Sequence, residues 1–223
     1  MKLASLIAGL ALAASIVVPA SAVTFDFRPG GNAGGVDFNL PSPVPGAPLV
    51  VDGIGIQANG GTYDGTTIID PAARRVTRNA NGLGVDCNGL FGPSILCPNE
   101  IDGNAGRTAE DLLTLVFDQE VFFDEVLFTE VDGDDDVDIF IDGVAIAALT
   151  DLNILGATNP VGLLGLSGTS ISFGAFDASF NNLNEDDFRV GSITVTAVPV
   201  PAGLPLLLSA LAAFAFIGRR SRT

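Results

Sequence analysis

Between Val23 and Val198 apolar and polar positions alternate in short bursts, and no stretch keeps a 3.6-residue apolar period over three turns. VTFDF (23–27) places Val23, Phe25 and Phe27 on one face, and GIGIQA (53–58) alternates glycine with isoleucine. LLTLVFD (112–118) and VFFDEVLFTEV (121–131) are rich in the branched and aromatic residues that suit a pleated surface. DVDIFID (136–142) sets Val137, Ile139 and Ile141 against Asp136, Asp138, Phe140 and Asp142. VAIAAL (144–149), SISFGAF (170–176) and FRVGSITVTAV (188–198) complete the predicted strands. In the last, Val190 falls out of register with Ile193 and Val195, so Gly191 is predicted to be a bulge that resets the alternation.

Turn-forming clusters separate these runs: DQE (118–120), DGDDD (132–136), DG (142–143) and NNLNEDD (181–187). Short strands at such intervals, with no strand–helix–strand alternation, predict an all-β domain over 23–197, a jelly-roll-like antiparallel sandwich. The segment 28–50, with PSPVPGAP at 41–48, reads as a loop-like excursion or an extended edge.

Charge sharpens the picture. The 223-residue chain has a formal charge of −16. Its cations are unevenly placed, with Lys2 near the start and Arg219, Arg220 and Arg222 at the other end. The stretch 23–198 holds 6 Arg against 26 acidic residues, a balance of −20. Such a field repels phosphate backbones and argues against nucleic acid as a partner. The absence of His removes Ser-His-Asp and Cys-His catalysis and imidazole metal sites. Trp is also absent and Tyr63 is the one tyrosine, so a typical aromatic platform for sugars is missing and the fifteen Phe read as core.

The first 22 residues combine Lys2, an apolar run from Leu3 to Val18, and Ala20 and Ala22 at the −3 and −1 positions of an A-x-A site. This is a secretory signal peptide, with cleavage by signal peptidase expected after Ala22. Export places Cys87 and Cys97 in an oxidising compartment. Their ten-residue spacing, with Gly89, Gly92 and Pro93 between them, predicts a structural disulfide. A loop that short stabilises by roughly 2–3 kcal/mol in the chain-entropy account.

Acidic clusters offer the main candidate chemistry. In EVDGDDDVDIFIDG (130–143), Asp132, Asp134, Asp136 and Asp138 alternate in a way that superficially resembles a calcium loop. The EF-hand pattern fails, because Val137 stands where its glycine belongs and Gly143 where its glutamate belongs. The competing expectation is a hairpin with a solvated acidic tip, VLFTEV turning through DGDD into VDIFID. Asp102 and Asp187 are lesser candidates for a structural calcium where a terminal strand meets a loop. Two carboxylates suffice for glycoside hydrolysis, but no pair stands out. RRVTR (74–78) is expected on a strand whose arginines are solvated or paired with nearby acids.

The residues VPVPAGLPLLLSALAAFAFIGRRSRT (198–223) join a proline-punctuated stretch to an uncharged apolar helix at 204–218 and then to arginines. The 21 residues from Val198 without a charge are long enough to span a bilayer, and flanking arginines stay cytoplasmic. Pro199, Pro201 and Pro205 keep the stretch before the span extended.

This tripartite tail resembles the PEP-CTERM class of bacterial sorting signals, in particular its VPLPA-CTERM variant, with Val200 in place of leucine. The resemblance covers about the last 26 residues. It implies recognition of Val198, Pro199, Val200, Pro201 and Ala202 by an exosortase, with Arg219, Arg220 and Arg222 as the stop-transfer cluster. The helix would then be removed and the protein passed to a surface or matrix acceptor. GLGV (82–85), NEID (99–102), EDLLTLVFDQEV (110–121) and the final strand running into the signal also look like bodies found ahead of such tails. The expectation is an exported, non-enzymatic structural or adhesive protein of the cell surface or matrix, associated with exopolysaccharide. It carries no cofactor except, in one reading, calcium. Its rivals are a calcium-dependent carbohydrate-binding module and, further off, a secreted glycosidase or lyase.

Overall fold

The computed structural model describes residues 20–32, 48–86, 100–103, 110–133, 135–175 and 186–199. The chain divides into two units, Ser21–Val198 and a second made of Met1–Ala20 with Pro199–Thr223, which lies almost wholly outside the described residues. Cys87, Cys97, Asp134, residues 200–223 and the apolar run expected to belong to a signal peptide also fall outside them.

The described fold is all-β. Its strands are β1 (Ala22–Asp26), β2 (Leu49–Val51), β3 (Ile54–Tyr63), β4 (Ile68–Arg78), β5 (Leu83–Asp86) and β6 (Ile101–Gly103). They continue with β7 (Glu110–Thr129), β8 (Asp136–Ile141), β9 (Val144–Ala145), β10 (Leu152–Asn153), β11 (Val161–Gly174) and β12 (Asp186–Ala197). Every pairing among them is antiparallel.

β7 organises the layers. One of its edges pairs with β11 across residues 112–126. The other edge forks, with residues 110–117 pairing with β3 and residues 121–129 with β12. From that fork β3 leads through β4 and β5 back to β12, so the strands close on themselves in a sandwich of barrel-like character.

The residues Asp118–Glu120, expected as a turn between two strands, instead form a bulge inside the one continuous strand. Ser170 pairs with Val116 and Gly168 with Val121, so β7 spends three more residues than β11 on the same interval. The strand bends there and passes from one layer to the other. Asp118 holds the bend by accepting from the Gly55 N–H at 2.9 Å. The Gly191 bulge is present: Val190 pairs with Phe128 and Ser192 with Leu127, and both halves of β12 keep their apolar residues buried.

Several elements depart from the sequence reading. β7 and β8 do not form a hairpin, because β8 pairs with β11, β9 and β10. VAIAAL is a strand only at Val144–Ala145 and then turns through a short 3-10 segment, Ala147–Leu149. β2 occupies the end of the expected excursion 28–50. Two Asp-Gly pairs close two-residue hairpins. Asp52 (φ 48°) with Gly53 (φ 85°) joins β2 to β3, and Asp142 (φ 49°) with Gly143 (φ 78°) joins β8 to β9. Both residues of each pair take positive φ, the geometry whose twist matches the flanking strands.

The core lies between the layers. Phe128 stacks edge-on against Phe173 of β11 at 5.5 Å and against Phe188 of β12 at 5.2 Å, and Phe117 likewise meets Phe25 and Phe123. A smaller cluster, Tyr63, Leu112 and Phe140 with Ile68 packed on it, covers the outer face of the first layer. That cover explains why the first half of β7 is buried on both faces while its second half alternates. Phe128→Ala removes the ring that joins three strands and is expected to cost roughly 3–5 kcal/mol in chemical denaturation. Phe122→Ala, at a position 38% exposed on the same strand, should cost only about 0.5 kcal/mol; equal losses at the two sites would contradict this placement of the core.

Candidate functional site

Most of the acidic residues singled out in the sequence gather where the β7–β8 connection meets the start of β12. They do not form a solvated tip. Asp135 is fully buried, and its carboxylate accepts from the backbone N–H of Asp132 and from that of Asp187 at 2.9 Å. Asp186 answers from the other side, accepting the Asp136 N–H at 3.1 Å. Two carboxylates thus tie the connection to β12 reciprocally, each held by amide donors that compensate its loss of water. On the far side of β12, β6 pairs with it so that Asp102 lies opposite Asp187. Asp102 and Asp186 are both buried.

Asp138 faces the outer cluster. It accepts from the Asp151 N–H at 2.7 Å and from the Tyr63 hydroxyl at 3.3 Å. Burial pushes its carboxyl above the ordinary range, and these two donors partly oppose the shift. Burial and the neighbouring Asp138 charge drive the Tyr63 hydroxyl far upward, so it stays a donor.

The four aspartates of the calcium reading therefore have separate surroundings. Asp132 is exposed on the connection, Asp136 is tied through its amide to Asp186, Asp138 faces Tyr63, and Asp134 lies outside the described residues. Among the described residues no three His, Cys, Asp or Glu side chains converge on a point that could hold a metal ion.

A second group surrounds Arg189, which is 2% exposed on β12. Its Nε donates to Glu130 and lies 3.8 Å from Glu100. Asn81 and Asn79 also donate to Glu130. Burial raises Glu130, but the Asn81 bond and the Arg189 charge more than reverse this and hold it below its ordinary value. Glu100 goes the other way, raised to about 7 by burial and by Asp187, against the pull of Arg189. Two carboxylates with opposite shifts on one guanidinium were not legible in the sequence, because 30 residues separate them and a third element supplies the arginine. Arg74 of RRVTR is buried against Asp111. Arg78 donates to the Phe27 carbonyl at 2.6 Å.

No family model matches this chain, and neither does any curated protein or solved structure that was searched.

One surface depression stands apart from the charged clusters. It is an open groove of about 590 Å³ on the outer face of β7 and β11, lined by Thr114, Ser170 and Ser172. The β3–β4 turn forms one rim, with Thr66 and Thr67, and the β8–β9 hairpin the other, with Val144. Its size is in the range of small-ligand clefts, and its lining is uncharged.

Near the tail, the last backbone tie of the unit is the Val198 N–H to the Glu120 carbonyl at 3.2 Å, and Pro199 beyond it is exposed. Ala22 opens β1 opposite Thr196, so the unit's first and last strand residues lie side by side. Cleavage after Ala22 would keep the buried Val23 in β1. Among the described residues no helix is long and apolar enough to cross a membrane, and the span expected at 204–218 lies outside them.

The Glu100 shift carries a consequence for stability. An unfolded glutamate ionises near 4.5, and the folded one near 7. As pH rises through that window, the unfolded chain has lost its proton while the folded one retains it, so this group draws the equilibrium toward unfolding. Glu100→Gln removes the effect. The melting temperature of Glu100→Gln minus that of the parent should therefore be more positive at pH 8 than at pH 4. A difference that does not change with pH would refute the raised Glu100.

Proposed function

We propose that this chain is an exported structural or adhesive protein of the cell surface or extracellular matrix, associated with exopolysaccharide and without catalytic activity. In this reading signal peptidase releases it after Ala22, and an exosortase recognises Val198 to Ala202 and removes the apolar helix with Arg219, Arg220 and Arg222. The exported body is a jelly-roll-like sandwich, a reading supported by antiparallel pairing throughout the described strands, and Cys87 pairs with Cys97 in it.

The observation that carries the proposal is the join between body and tail. β12 ends at Ala197, the last backbone tie belongs to Val198, and exposed Pro199 follows. Proline has no N–H to extend a ladder. The described strands therefore end just before the V-P-V-P motif, and a cut near Ala202 leaves every one of them whole. The acidic body suits export and solubility, while the arginines of the tail suit retention on the cytoplasmic side.

Intact mass spectrometry of the protein recovered from the cell envelope tests this. The expected product starts at Val23, lacks Arg219–Thr223 and has no titratable thiol. A mature product that retains Arg219–Thr223 would overturn the sorting proposal, and two reactive thiols would overturn the disulfide.

A further inference from the structure

We propose that the outer groove between the β3–β4 turn and the β8–β9 hairpin binds a neutral polysaccharide chain. The inference rests on the matrix reading above and gives that reading a contact surface.

The floor of the groove is made of hydroxyls. Ser172 of β11 stands opposite Thr114 of β7, and their oxygens are 2.9 Å apart. Both are more than nine-tenths buried, at 2% and 7% exposure. Each hydroxyl is one donor and two acceptors. The bond they share uses one of the pair's two protons, so a donor and several lone pairs are left for a ligand at the groove surface. Ser170, two residues along β11, extends the row with its lone pairs, since its hydroxyl donates to Asp142 at 3.3 Å.

The rim is held in shape before any ligand arrives. Asp64 accepts from the Thr66 N–H at 3.1 Å, from the Thr66 hydroxyl at 2.9 Å and from the Thr67 N–H at 2.7 Å. The Asp64 N–H in turn bonds the Thr67 carbonyl at 3.2 Å. A turn fixed in this way loses little further freedom on binding. The opposite rim is the Asp142-Gly143 hairpin. The Asp142 carboxylate accepts from the Thr169 and Ser170 amides, both at 2.9 Å, which fastens that hairpin to β11.

Lining chemistry selects the ligand. No charged side chain lines the groove, and the protein around it is strongly acidic. Anions would meet repulsion with no cation to receive them, and cations would find no carboxylate within the lining. A protein partner would want a large apolar or aromatic anchor, and the groove offers only Ile68, Val144 and Ala145. A sugar presents hydroxyls that both donate and accept, which Ser and Thr match, and C–H faces that suit Ile68 and Val144. With no aromatic platform each site binds weakly, and many copies on one polymer supply the retention.

Affinity electrophoresis of the envelope-purified protein tests the proposal, in native gels cast with dextran, mannan or galactomannan, and with alginate as the anionic comparison. At least one neutral polymer should retard the protein, and alginate should not. Val144→Glu puts a charge on the rim at a side chain 65% exposed, so it leaves the core untouched. It should abolish the retardation. Ser172→Ala should weaken apparent affinity roughly fivefold, as for one lost hydroxyl contact. No retardation by any of the three neutral polymers, or retardation that both variants retain in full, would overturn the groove. A correctly processed protein that is not retarded would refute the groove and leave the sorting reading standing. A retarded protein that still carries Arg219–Thr223 would do the reverse.

Discussion

The structure depends on one requirement, that β7 find hydrogen-bond partners on both edges for twenty residues. β11 satisfies one edge. The other edge cannot be served by a single strand, because β7 bends at Asp118–Glu120 and its two halves belong to different layers. β3 and β12 therefore share it, and their divergence opens the space that the Phe128 and Phe117 clusters fill. The remaining strands follow from that fork: β4 and β5 bridge from β3 back to β12, β8 extends the first layer beyond β11, and β1 extends the second beyond β12.

The charges obey the same logic. An acidic chain that wraps a closed sheet buries some of its carboxylates at the ends of strands. Left bare, each would cost several kcal/mol or take up a proton. Asp135 and Asp186 escape this by accepting backbone amides from each other's segments, so charges that look solvated in the sequence become ties between non-adjacent strands. Arg189 does the same work for Glu100 and Glu130, although one guanidinium holds only one of the two below its ordinary value. The uncharged groove differs in kind. Its floor is hydroxyl, its rims are tied down by Asp64 and Asp142, and its lining carries no charge. Among the described features it is the one whose chemistry faces outward.

Alternation alone identified the strand-rich body, the core faces of β1, β8 and the end of β12, and the Gly191 bulge, because a period of two fixes which side chains share a face whatever partner comes later. The proposal that the two ends are export and sorting segments rests on equally local signals, namely hydropathy, small residues and flanking arginines. Asp52-Gly53 carried a hairpin signal as strong as Asp142-Gly143, yet β2 lay hidden because its three residues are too few to show a period.

Partnership was not legible. Whether DQE reverses the chain or bulges within a strand depends on β11 lying alongside. Whether Asp132–Asp138 tips a hairpin or anchors a crossing depends on β8 choosing β11 over β7. The groove needs Thr114, Ser172 and two distant turns brought together from four parts of the chain. The sequence by itself determined local periodicity and the bulge. Tertiary structure alone decided which strands meet, which carboxylates are buried and where hydroxyls gather, because those depend on pairing between residues far apart in the chain, and a two-residue period is compatible with many such pairings.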